Sequence, residues 1–143
     1  MIIQIIGSND IDNENLGKYL AKKYGFEIYG IDFFIKETKE EVISNYLDFV
    51  FKDNDCIVVG MMSNLINSSF YKRRYLIWLD KNDENKINNK DKMNYYNEIF
   101  KEYKICKSNK IIIKADINLR DQEQLLLNIM EKKDYEYIQR KNK

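Results

Sequence analysis

The 143-residue sequence has no histidine and no proline, and it has only five glycines and two cysteines. Without histidine, the usual general base, the Ser-His and Cys-His nucleophile pairs and most zinc sites are excluded. The missing proline is unusual but leaves the count of elements and domains unchanged. Cys56 lies in an apolar run and Cys106 beside Ile105, so reduced thiols in a cytoplasmic protein are expected rather than a disulfide or a metal pair. No apolar run approaches the ~20 residues of a membrane span. The opening MIIQII lacks a basic n-region and a small-residue cleavage site, so no signal peptide is expected. An excess of charge of one sign is also missing. With 24 basic against 23 acidic residues, no global field draws in nucleic acid or an anionic membrane.

What is present is a strand–loop–helix–strand unit over Met1 to Phe34. Ile2, Ile3, Ile5 and Ile6 form a strand-length apolar run bounded by Gly7. Leu16, Tyr19, Leu20 and Tyr24 recur at helical spacing, and Gly25 is placed to end that helix. Phe26 to Phe34 is a second run rich in aromatic and β-branched residues, expected as a strand. Thr38-Lys39-Glu40-Glu41 has capping-box spacing ahead of an apolar helical face through Val42, Ile43, Tyr46, Leu47, Phe49 and Val50. Cys56–Gly60 and Tyr75–Leu79 are apolar runs suited to strands covered on both faces. Met61–Tyr71 is less regular, with a short helix as its best reading.

Lys81–Lys92 is polar and is expected as a flexible loop. Met93–Tyr103 resumes helical spacing, Lys110–Ala115 is a final strand, and Asp116 or Asn118 caps a last helix through Met130. The basic stretch 134–143 is expected as a fraying, solvated end. Five strands alternating with helices imply a single domain, 1–143, with a three-layer αβα architecture around a mostly parallel sheet.

The order of these elements resembles the P-loop nucleoside and nucleotide kinases, in particular the cytidylate-kinase-like and deoxynucleotide-kinase groups. Ile2–Gly7 resembles their first strand, and LGKYLAKKYGF the helix after the phosphate loop. GIDFF resembles their second strand with its acidic residue, YLIWLD the strand before the lid, and IIIKAD with LRDQEQLLLNIMEK the closing strand and helix. The resemblance implies a sheet order of 2-3-1-4-5, a lid over 81–92, and a role for Asp32 near a phosphate acceptor.

The resemblance breaks where phosphate would bind. A phosphate loop needs glycines to turn its amides inward, a lysine for the outer phosphates and a hydroxyl for magnesium. Read without gaps, the positions are Gly7, Ser8, Asn9, Asp10, Ile11, Asp12, Asn13 and Glu14. Asp12 replaces the second glycine, Asn13 the lysine and Glu14 the hydroxyl residue; only Gly7 keeps its family identity. Two unit charges 4 Å apart repel by about 4 kcal/mol at an effective dielectric of 20, whereas an exposed helix N-terminus offers only about 0.3–1 kcal/mol. Lys18 follows Gly17 too late to replace the lysine and is expected as a solvated helix residue. Asp10, Asp12 and Glu14 have two readings, an acidic first turn or an oxygen site for Ca²⁺ or Mg²⁺; the first is adopted, with no metal site assigned.

Phosphoryl transfer also leans on positioned arginines. The four present are Arg73, Arg74, Arg120 and Arg140, and none lies in the lid, where Lys81, Lys86, Lys90 and Lys92 supply weaker charge. Arg73 and Arg74 are expected as a surface pair. The leading expectation is a degenerate kinase-like domain, without ordinary ATP-dependent phosphoryl transfer and without a cofactor, acting as a binding, regulatory or assembly module. Its partners would be a protein, a second copy, or a nucleotide or other small molecule. One alternative is an active nucleoside or nucleoside monophosphate kinase using ATP and Mg²⁺ through a divergent loop. The other is a small Rossmann-like domain for an uncharged or cationic ligand.

Overall fold

The computed structural model describes residues 1–34, 37–52, 54–60, 73–81, 90–106 and 108–142. Its elements run β1 (Ile2–Gly7), α1 (Asp10–Tyr24), β2 (Glu27–Gly30), a 3-10 turn (Ile31–Phe34), α2 (Lys39–Phe51), β3 (Cys56–Val59), β4 (Arg73–Asp80), α3 (Lys90–Ile105), β5 (Asn109–Lys114), α4 (Leu119–Ile129) and α5 (Lys132–Lys141). The sheet order is β2-β3-β1-β4-β5, and all its pairings are parallel. β1 is therefore central, and its run of isoleucines is buried on both faces.

Alternation along the strands sorts the core. Ile3 and Ile5 of β1, with Tyr75, Ile77 and Leu79 of β4, face Leu16, Leu20, Leu126, Met130 and Ile138 of α1, α4 and α5. Ile6, Leu76 and Trp78 face Tyr103 of α3 and Cys106 just beyond it, while Ile2, Cys56 and Val58 meet Phe34, Tyr46 and Phe49. Burying each large apolar side chain stabilises by about 1.5–3 kcal/mol. Gln4 shares the face of Ile2 and Ile6 yet is fully buried. It is satisfied at both ends: Nε2 donates to the Gly60 carbonyl at 2.7 Å, and Oε1 accepts from Arg73 Nη1 at 2.6 Å.

Helix ends follow local chemistry. Gly25 adopts the left-handed conformation at φ 70°, and its N–H and that of Phe26 close on the Ala21 carbonyl. Thr38 Oγ1 accepts from the Glu41 N–H at 3.2 Å, and Asn118 Oδ1 from the Asp121 N–H at 2.8 Å. Of the two residues expected to cap the last long helix, the structure selects Asn118. Both cysteines are buried and free.

Three expectations are corrected. The strand expected over Phe26–Phe34 ends at Gly30, and Ile31–Phe34 coils into a 3-10 turn. Phe33 and Phe34 pack their rings against each other and against Phe49, so these aromatics serve side-chain packing rather than a sheet ladder. Arg73, expected at the surface, is buried and bonded to Gln4 and Ser108. The basic end expected to fray is helix α5. Ile138 on α5 enters the core, and the Asp134 carboxylate accepts from Tyr75 Oη at 2.5 Å. The irregular stretch Met61–Tyr71 and most of the lid, residues 82–89, lie outside the described residues; Lys90–Lys92 already belong to α3. Among the described residues no helix is long and apolar enough to cross a membrane.

Candidate functional site

The turn after the central strand is only two residues long. β1 ends at Gly7, Ser8 and Asn9 follow, and α1 starts at Asp10, so the positions compared above with a glycine, a lysine and a hydroxyl residue all lie inside a helix. Asn9 makes this start. Its side-chain Oδ1 accepts from the Asp12 N–H at 2.9 Å, and its carbonyl accepts from the Asn13 N–H at 3.1 Å. Asp10 and Asp12 place two carboxylates in the first turn, where the helix dipole favours negative charge.

The three replaced positions then diverge. Asp12 turns toward the end of β4, with Oδ2 3.2 Å from Lys81 Nζ. Asn13 folds back into the protein at 2 % exposure, and its Nδ2 donates to the Gly7 carbonyl at 3.1 Å. Glu14 pairs along the helix surface with Lys18 at 2.7 Å. A Cβ on Gly7 would stand 2.5 Å from the Leu79 carbonyl and 2.8 Å from Asn13 Oδ1. Gly7 is thus required by the close approach of β4 and by the amide tucked beneath the turn.

Ser8 is exposed, and Lys18 is an exposed helix residue. Among the described residues no three carboxylate or thiol groups converge as a metal site; Asp12 and Glu14 each face a lysine instead.

Asp32 lies in the 3-10 turn, exposed, on the rim of a cleft of about 460 Å³ beside the carboxyl ends of β2 and β3. Asp10, Glu14 and Lys18 of α1 form the opposite rim, and Ile28, Ile31 and Val59 supply apolar walls. The fold therefore brings Asp32 together with Asp10 and Glu14, and leaves Asp12 and Asn13 out of the cleft. Three carboxylates face one lysine that is already paired.

Two contacts were not expected from the sequence. One is the Asn13 amide beneath Gly7; the other is Lys81 as the partner of Asp12 rather than a lid cation. The spacing Asn9-x-x-Asp12 before a helical apolar pattern carried the signal for an early helix start.

The sheet order, its parallel strands and the helices on both faces define a P-loop kinase-like αβα fold. Solved structures share it over most of the chain. Shikimate kinase from Aquifex aeolicus vf5 matches at a TM-score of 0.61 and 17 % identity, over 90 % of this chain and 96 % of that one. The YorR protein of Bacillus subtilis, in complex with phosphorylated GDP, matches at 0.64 and 9 % identity, over 90 % and 95 %. Deoxyadenosine kinase from M. mycoides, with products dCMP and a flexible dCDP bound, matches at 0.50 and 14 %, over 90 % and 97 %. At these identities the likeness is one of fold. No protein-family model and no curated protein matches the sequence.

Proposed function

We propose that this chain is a kinase-like domain that does not carry out ordinary ATP-dependent phosphoryl transfer and acts as a binding, regulatory or assembly module. One observation carries this reading: α1 begins at Asp10, so the amides of Asp12 and Asn13 are consumed by Asn9, and the Asn13 side chain closes on Gly7. A phosphate cradle needs inward-facing free amides and a lysine; here Asn9 takes the amides of Asp12 and Asn13, and Asn13 stands where the lysine is needed. No ATP or Mg²⁺ is needed for such a role. A protein partner, a second copy, a nucleotide or another small molecule would be the bound species.

A second reading is favoured by the cleft. Asp32 on the rim of the 460 Å³ cleft supports an active nucleoside or nucleoside monophosphate kinase in which this carboxylate would stand near the phosphate acceptor. Melting the protein with Mg·ATP distinguishes the two. A site filled at 100 times its Kd adds about 2.7 kcal/mol of stability, a shift of several degrees. The module reading expects no shift with Mg·ATP, and concentration-dependent melting if the partner is a second copy. A saturable shift with Mg·ATP, and phosphate transfer to a nucleoside lost in Asp32→Asn, would establish the kinase instead.

A further inference from the structure

At the opposite end of the sheet, where β1 and β4 begin, a second cavity of about 350 Å³ lies under α5, lined by Met1, Arg74, Lys133, Asp134, Tyr137 and Arg140. Its size is at the small end of the range for ligand pockets, about 300–1,000 Å³. Three cationic side chains line it against one carboxylate, and that carboxylate is already engaged. Asp134 Oδ2 accepts from Tyr75 Oη at 2.5 Å and from Arg74 Nε at 2.8 Å. The other arm of Arg74 reaches Glu131 at 2.7 Å. Lys133 meets Glu131 only at 3.5 Å, with a largely exposed side chain. Arg140 has no ion-pair partner among the described residues. The cationic capacity left over therefore belongs to Lys133 and Arg140, about one helical turn before and after Tyr137 on α5.

We propose that this cavity is an anion site for a small organic oxyanion, a phosphate monoester or a carboxylate on an apolar or aromatic body. Arg140 and Lys133 meet the anionic head, with Arg74 held behind them by Asp134 and Glu131. The exposed Tyr137 ring meets the body. The two ends of the sheet would then have opposite preferences. The carboxyl end, with Asp10, Glu14 and Asp32, disfavours anions, and the amino end accepts them.

The test is a ¹H–¹⁵N shift titration of the full chain with phenyl phosphate, benzoate and inorganic phosphate at ~20 mM ionic strength, where screening is weak. Saturable shifts confined to residues 74 and 133–140 are expected, with a Kd of about 1 mM or tighter for an aryl anion. Arg140→Ala and Lys133→Ala, both at exposed side chains, should each weaken binding about tenfold, while Lys18→Ala in the other cleft changes nothing. Tighter phenyl phosphate assigns a phosphate head, and tighter benzoate a carboxylate; either supports the site. Inorganic phosphate binding as well as phenyl phosphate would overturn the apolar part. No saturable shift up to ~10 mM, shifts centred on residues 8–18, or unchanged affinity in both alanine variants would overturn the site itself.

Discussion

A methyl group added at Gly7 would meet the Leu79 carbonyl at 2.5 Å, and backbone of a neighbouring central strand has nowhere to move. At Gly30, on the edge strand β2, the same methyl meets nothing within 4 Å. Gly7→Ala is therefore expected to destabilise the protein by about 1–3 kcal/mol, as overpacking does, and Gly30→Ala to stay within about 0.5 kcal/mol of the parent. Urea unfolding of the two variants checks this. Equal effects would remove the close approach of β4 as the reason for glycine at position 7. Asn13 belongs to the same arrangement. Its amide satisfies the Gly7 carbonyl inside the turn, so Asn13 acts here as a structural plug.

Helix α5 was hidden from sequence reading by its composition. It has only three apolar residues, Tyr135, Tyr137 and Ile138, and its charges suggest solvent. What docks it is long-range polar chemistry that no local pattern displays. The Asp55 carboxylate, ahead of β3, accepts from Tyr137 Oη at 2.6 Å and from Lys141 Nζ at 2.8 Å, and the Met1 amino group lies 2.6 Å away. Burial alone would raise the pKa of Asp55; the bonds from Lys141, the amino group and Tyr137 outweigh it and hold the value at about 2, against an ordinary 3.8. Asp134 is lowered as well: burial opposes the charge, and Tyr75 and Arg74 overcome that.

Because the folded pKa of Asp55 lies below its unfolded value, its contribution is full above the ordinary carboxylate range and is lost as pH falls from about 4 through about 2. The depression corresponds to about 2 kcal/mol. The melting-temperature gap between the parent and Asp55→Asn should therefore be widest near neutral pH and close as pH falls through this window. A gap that stays constant would mean that the carboxylate charge does not hold α5. Elements with their own local signal were legible: the apolar runs of β1, β3, β4 and β5, the Gly25 stop, and the Thr38 and Asn118 caps. The burial of Arg73 and the docking of α5 depend on partners 35 or more positions away in the chain, such as Ser108 for Arg73 and Asp134 for Tyr75, and the early end of β2 on ring packing against Phe49 of the next helix, none of which spacing reveals.

For the whole molecule, the parallel order β2-β3-β1-β4-β5 directs every strand's carboxyl end to one edge, where folds of this kind place their ligands. On the proposed reading the fold is kept there, while the first turn of α1 carries acidic residues. A triphosphate in the cleft at this edge would face Asp10, Glu14 and Asp32, and each like-charge approach at 4 Å costs about 4 kcal/mol at an effective dielectric of 20. On that reading residue identity is only half of the obstacle, because Asn9 also starts the helix at Asp10 and takes the amides of Asp12 and Asn13. An exchange of Asp12→Gly, Asn13→Lys and Glu14→Ser restores the loop pattern but leaves that cap in place. Adding Asn9→Gly removes the side-chain acceptor and lets the turn open, and losing Asp12 frees Lys81 for the outer phosphates. The fourfold variant is expected to bind Mg·ATP with a Kd of about 1 mM or tighter by calorimetry, the threefold variant more weakly, and the parent not measurably. A fourfold variant that melts cooperatively yet binds no nucleotide would move the obstacle from the turn to the carboxylates that remain, Asp10 and Asp32 on the cleft rim, whose replacement by Asn would then be the decisive comparison.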